Sequence, residues 1–166
     1  MTMSIEAISD RMEIQDLIVN YAYALETHDP DALDKVFTED ARIDYRAMHG
    51  SDGGLETAKA FLAAASPKFA GSQLMVAPSK ITLDGDRATA RTACFHPTLI
   101  DQRGGQTHVF LCGFWYHDAV VRTSHGWRIR ERVLERCYYH NLPPDFAFLQ
   151  AVHGEGCACT RQLVDD

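Results

Sequence analysis

Three residues of this 166-residue chain have the type and placement for proton-transfer chemistry without a cofactor: Tyr45, His96 and Glu26. Such chemistry needs a base for an activated proton, a donor for the charge that develops on oxygen, and a site that sheds water. Tyr45 lies in an alternating run, 41–47, that puts Ala41, Ile43, Tyr45 and Ala47 on one side and Arg42, Asp44 and Arg46 on the other. Its hydroxyl is therefore expected to point inward as the donor; the competing reading is a ring that only packs. His96 shares a strand face with Ala88, Ala90, Thr92 and Cys94, small side chains that leave room for a ligand if that face is concave. It is the candidate base, against the commoner fate of a half-solvated histidine beside Pro97. Glu26 closes the first helix, where the helix dipole disfavours a carboxylate unless a tertiary partner holds it.

Candidate substrate contacts come from a strand that is apolar on both faces, with Trp115 and His117 on one and Phe114 and Tyr116 on the other. Alternation alone does not say which face meets a cavity. In the last strand Glu131 and Glu135 share a side with Trp127, Ile129, Val133 and Cys137. That phase would bury a carboxylate and raise its pKa, unless a bulge turns both outward toward the arginines. The five cysteines are scattered, and His153, Cys157 and Cys159 match no zinc spacing, so no metal is expected. The glycine-rich stretch 50–54 lacks the spacing and the Lys-Ser or Lys-Thr pair of a phosphate loop, so no nucleotide cofactor is expected either.

The elements that must position these residues follow from periodicity. Ile14, Leu17, Ile18, Tyr21, Ala22 and Leu25 recur at helical spacing, which predicts a helix over about 5–26. Asp29-Pro30 caps a short second helix with Leu33, Val36 and Phe37 on its buried side, and Thr38-Glu39-Asp40 reads as a turn. An alanine-rich third helix spans 55–65. From about Leu74, strand-like runs are separated by hairpin signals at 84–86, 102–105 and 124–126, which predicts four strands in meander order. Helices gathered before an antiparallel sheet define an α+β class. The globular part is placed at 1–142, and 143–166 is read as a C-terminal tail that packs on it or on a neighbouring subunit.

A composition of 46% hydrophobic and 23% charged residues suits one globular domain. A formal charge of −7 excludes a nucleic-acid footprint, and no apolar run is long enough to span a bilayer. The expectation is a cytoplasmic protein with reduced thiols and a small hydrophobic molecule as partner. It is also expected to form a homo-oligomer, dimer or trimer, through the leftover face of the apolar strand.

Four strings, Ile14-Gln15-Asp16-Leu17, Asp31-Ala32-Leu33, 84–90 (Asp-Gly-Asp-Arg-Ala-Thr-Ala) and Gly126-Trp127-Arg128-Ile129, together resemble the SnoaL-like, nuclear transport factor 2-like superfamily over roughly residues 5–140. The resemblance implies a cone-shaped α+β barrel, a curved antiparallel sheet wrapped with helices around a pocket. Ile43-Asp44-Tyr45-Arg46 is similar to the pocket tyrosine string of scytalone dehydratases, and the stretch around Ile14 is similar to hexachlorocyclohexane dehydrochlorinases. Both relatives imply a cofactor-free lyase that uses an aspartate and a histidine; those positions fall here on Glu26 and Gln73. Glutamine takes no proton near neutral pH, so a base would have to sit elsewhere. The expected function is a cofactor-independent lyase or isomerase (dehydration, cyclisation or retro-aldol-type cleavage) acting on an aromatic or polycyclic substrate. The alternative is a non-catalytic small-molecule binding protein, or an assembly part like the small subunit of ring-hydroxylating dioxygenases. Epoxide hydrolysis, similar to limonene epoxide hydrolase, ranks last because no Asp-Arg-Asp set can be placed.

Overall fold

The computed structural model describes residues 2–65, 69–101 and 106–142. The tail after 142, with His153, Cys157 and Cys159, and the hairpin tip at 102–105 lie outside the described residues.

Helix α1 spans Ile5–Glu26, opened by Ser4, whose Oγ accepts from the Ala7 N–H at 3.1 Å. Its stripe of Ile14, Leu17, Ile18, Tyr21 and Ala22 is buried as the spacing requires. Asp29 caps the next element, but Pro30–Lys35 is a 3-10 helix rather than an α-helix, six residues being too few to repay α nucleation. Strand β1 follows at Phe37–Asp44. Thr38-Glu39-Asp40, expected as a turn, therefore belongs to a strand, in the irregular stretch between the Phe37–Ile129 and Arg42–Glu131 pairs that hold it to β8. β1 stops at Asp44, one residue before Tyr45, and the chain enters a 3-10 turn at Arg46–Met48. Tyr45 stays buried, but Ala47 is exposed, because the alternation ends with the strand. A two-residue strand, β2 (Asp52–Gly53), and helix α2 (Leu55–Ala65) complete the first half.

The remaining strands are β3 (Gly71–Ser72), β4 (Met75–Val76), β5 (Lys80–Asp84), β6 (Arg87–Asp101), β7 (Thr107–Thr123) and β8 (Gly126–His140). They form one curved, non-closed eight-stranded sheet in the order β2-β1-β8-β7-β6-β3, with β4 and β5 also on β6. Pairing is antiparallel except between β1 and β8, which run parallel. The turns that join β5 to β6 and β7 to β8 use Gly85 and Gly126 at φ of +58° and +91°, the conformation that makes glycine useful there. Helix α1 is tied to the sheet by a buried polar knot. Asp10 accepts from Trp127 Nε1 at 3.0 Å and from Arg122 at 2.8 Å, and these contacts hold its carboxyl below the usual range. Among the described residues no helix is long and apolar enough to cross a membrane.

Two bulges in β8 decide which side chains face inward. Val120 pairs with Ile129 but Ala119 pairs with Glu131, which leaves Arg130 as an extra residue. Phe114 pairs with Arg136 but Gly113 pairs with Tyr138, which makes Cys137 the second. Each extra residue flips the strand's phase. Glu131 and Glu135, in phase with Trp127 and Ile129 by strict alternation, are thereby exposed, while Arg132 and Leu134 are buried and Tyr139 turns inward. The Cys94 and Cys112 thiols are free and buried, and Cys137 is free and exposed.

Candidate functional site

Between the helices and the inner face of the sheet lie two adjoining cavities. The larger has a volume of about 130 Å³ and opens to solvent at its mouth. Its walls are rich in aromatic rings, with Tyr21 from α1, Phe61 from α2, Phe110, Phe114 and Tyr116 from β7, and Tyr45 just after β1. The smaller, about 90 Å³, sits by the C-terminus of α1 and includes Glu26, Asp29, Ser72 and Leu74. Leu25, Leu62, Ala65, Phe69 and His96 line both.

Three tyrosine hydroxyls meet at the larger cavity. The Tyr21 and Tyr45 hydroxyls are 2.6 Å apart, and Tyr116 donates to Tyr21 at 3.5 Å. Their rings pack edge-on, Tyr21 against Tyr116 at 5.5 Å and Tyr116 against Phe114 at 5.1 Å. Behind them lies Arg132, fully buried and held by Asp118 through two hydrogen bonds of 2.7 and 2.8 Å. Its guanidinium stands 4.0 Å from the Tyr116 ring centroid and 4.1 Å from that of Tyr21. Arg132 Nη1 has no hydrogen-bond acceptor among the described residues, and these aromatic faces are what its N–H groups meet instead. Burial, and then the neighbouring phenols, hold the Tyr45 and Tyr116 hydroxyls well above their ordinary pKa, so both stay protonated as donors. Burial alone would push Arg132 down; the Asp118 carboxylate outweighs it and keeps the charge.

His96 lies on the wall shared by the cavities, its ring edge-on to Phe114 at 6.4 Å. Burial lowers its pKa to about 4, so the imidazole is neutral through the neutral range. Glu26 faces the smaller cavity, and its Oε1 accepts the Leu74 N–H at 2.8 Å, a tertiary partner that offsets the unfavourable helix dipole. Thus His96 adjoins Tyr45 in one cavity and Glu26 in the other, whereas Tyr45 and Glu26 do not share one.

Several sequence expectations are corrected. Gln73 is exposed outside both cavities, because Ser72 and Leu74 take the inward positions and the Gln73 N–H bonds Pro97 O at 3.1 Å. Trp115 and His117 lie on the outer face of the sheet, where Arg91 stacks on Trp115 at 4.0 Å and His117 pairs with Glu135 at 2.6 Å. Tyr116 takes the cavity side. The bulge at Arg130 turns Glu131 outward to Arg42, at 3.5 Å. Ala88, Ala90, Thr92 and Cys94 are buried in the core and line neither cavity; open space begins two residues later, at His96 and Thr98.

Sequence reasoning missed Tyr21 and the Arg132–Asp118 pair as parts of the site. Tyr21 stood in the buried helix stripe, and a tyrosine there needs a partner for its hydroxyl. Asp118 follows Phe114 and Tyr116 at two-residue spacing, a carboxylate on an aromatic face, which implies a buried cation. Nothing local identifies Arg132 as that cation, since its phase depends on the bulge.

Residues 6–133 match the SnoaL-like domain family. An uncharacterized protein of Mycobacterium tuberculosis is 42% identical over 136 residues, 82% of this chain and 91% of that protein. Among solved structures, a proposed scytalone dehydratase from Novosphingobium aromaticivorans superposes with a TM-score of 0.74 at 18% identity, covering 85% of this chain and 93% of that one. A hexachlorocyclohexane dehydrochlorinase from Novosphingobium barchaimii gives 0.70 at 15%, covering 84% and 94%. These last two show a shared fold, the nuclear transport factor 2-like one.

Proposed function

The chain belongs to the SnoaL-like domain family, and on that premise we propose that it is a cofactor-free lyase or isomerase acting by proton abstraction on a small aromatic or polycyclic substrate. The observation that carries this reading is a neutral imidazole and a tyrosine hydroxyl cluster on the walls of one apolar cavity. Names that denote elimination, dehydratase and dehydrochlorinase, among proteins of the same fold agree with it.

In this reading His96 takes a proton from carbon next to a substrate carbonyl, and the electron pair moves onto the carbonyl oxygen. Tyr45 donates a hydrogen bond to that oxygen, with Tyr21 and Tyr116 behind it and the Arg132 charge on their ring faces. The enolate electrons then expel a β-hydroxyl, which leaves as water with the proton from His96 and restores the neutral ring. Glu26 lines the smaller cavity with His96, its carboxylate held by the Leu74 N–H.

The test is to incubate the protein with polycyclic β-hydroxyketones in D2O, following α-deuterium exchange and loss of water by NMR. Exchange that is abolished in His96→Ala supports the proposal; binding with neither exchange nor elimination would overturn it. A non-catalytic binding role is favoured by one observation, the low basicity of His96, and that role predicts the second result.

A further inference from the structure

The outer face of the sheet, turned away from both cavities, is split along its strands into an apolar half and a charged half. Near the start of β7 a cross-strand row runs Met75, Phe95, Gly113, Tyr138. Met75 is 54% exposed and Tyr138 46%, and the Tyr138 ring occupies the space that a side chain on Gly113 would need. Leu99, Val109 and Leu111 extend the patch through the neighbouring rows, with Val109 44% exposed. Adjoining apolar side chains left this open mark a surface that another molecule covers.

Further along β7 the outward side chains become charged, and the two signs stay apart. A row across β5, β6, β7 and β8 runs Lys80, Arg91, His117, Val133. Lys80 and Arg91 stand directly opposite each other, an unfavourable pair of like charges, and neither has an ion-pair partner among the described residues. Arg91 is exposed and rests on the Trp115 ring. The acids lie on the other side of β7, where Glu131 and Glu135, both exposed, flank Val133 on β8. Glu131 shares its cation, Arg42, with Asp52, at 3.5 and 3.4 Å, and Glu135 meets the His117 imidazole.

We infer that this face is the interface between two copies of the chain, related by a two-fold axis that runs along β7. Such an axis lays β6 of one copy over β8 of the other and keeps each residue's level along the strands. Apolar half then meets apolar half. Arg91 arrives over the partner's Val133, between the partner's Glu131 and the partner's Glu135, and the same contact recurs with the copies exchanged. An axis across the strands would set apolar rows on charged ones instead. The area suffices as well. Strands β6, β7 and β8 are 15, 17 and 15 residues long. At strand rise and spacing they cover roughly 50 by 14 Å, about 700 Å² before β1, β4 and β5 are added, near the roughly 800 Å² per partner of a stable complex.

Sedimentation velocity on the whole chain tests this. The unaltered protein sediments with the mass of two chains at micromolar concentration. Tyr138→Asp, in the apolar half, weakens the association roughly tenfold or more and leaves the far-UV circular dichroism unchanged. Arg91→Glu, and separately Glu131→Arg with Glu135→Arg, set like charges against each other at both contacts, so each variant sediments as a single chain with native circular dichroism. Mixing these two variants restores the two-chain species, because every contact is again an opposite pair; a folding defect would not be rescued this way. A mass of one chain for the unaltered protein, the result expected if residues 143–166 cover this face instead, overturns the inference. So does a mass of three chains, a dimer indifferent to Tyr138→Asp, or a mixture that stays monomeric.

Discussion

Removing the Asp118 charge should be among the most damaging single changes in this protein. Both side chains of the Asp118–Arg132 pair are 0% exposed, and two hydrogen bonds of 2.7 and 2.8 Å hold them together. At an effective dielectric constant of about 20 and a charge separation of about 4 Å, their attraction is about 4 kcal/mol. Arginine cannot neutralise itself by losing its proton, so Asp118→Asn leaves a cation buried among Tyr21, Phe37 and Tyr116. A cost of about 3–5 kcal/mol follows, or a fall in melting temperature of roughly 6–20 °C. Arg132→Met strands the carboxylate at a similar cost. The double variant Arg132→Met with Asp118→Leu should recover most of the loss, because it also removes the desolvation cost. Urea unfolding of the unaltered protein, Arg132→Met, Asp118→Leu and the double variant closes the cycle and gives the coupling energy directly. An Asp118→Asn cost below about 1 kcal/mol, or a double variant that merely sums the singles, would refute the reasoning.

Tyr45→Phe removes the cluster's donor to substrate oxygen and should lower kcat by roughly 10²–10³-fold while leaving the far-UV circular dichroism intact, measured on whichever substrate the deuterium screen identifies. His96 acts as a neutral base, so kcat/KM should hold steady down to about pH 5 and fall with a midpoint near 4, not near 6.5. The same shift bears on folding: because the folded pKa is depressed, stability present above pH 6.5 is lost as pH falls toward 4. The 2.5-unit gap sets that loss at no more than about 3 kcal/mol, and His96→Asn should flatten the dependence in pH-resolved urea melts. Asp10→Ala strips acceptors from Trp127 and Arg122 at the seam between α1 and the sheet. It should cost about 2–4 kcal/mol by thermal unfolding, with a red-shifted Trp127 emission.

The residues themselves determined the parts of this protein that depend on local period and local turn chemistry. Helix α1 at Ile5–Glu26 and helix α2 at Leu55–Ala65 fall where spacing and alanine content put them, and Gly85 and Gly126 mark the hairpins that align the long strands. Tyr45 could be read as inward because its alternation is short and unbroken up to it. What tertiary structure alone decided is everything that depends on phase over a longer distance. A single extra residue, Arg130, turns Glu131 to solvent and Arg132 into the core, and no local signal separates that outcome from strict alternation. The strand apolar on both faces could not say whether Tyr116 or Trp115 meets the cavity, because that choice belongs to the helices that cover one side. The meeting of Tyr21, Tyr45 and Tyr116, 95 residues apart at the extremes, is likewise a property of the folded chain. Hydrogen bonds of 2.6 and 3.5 Å between side chains from a helix, a strand end and a central strand are set by how those elements pack, which no single segment encodes.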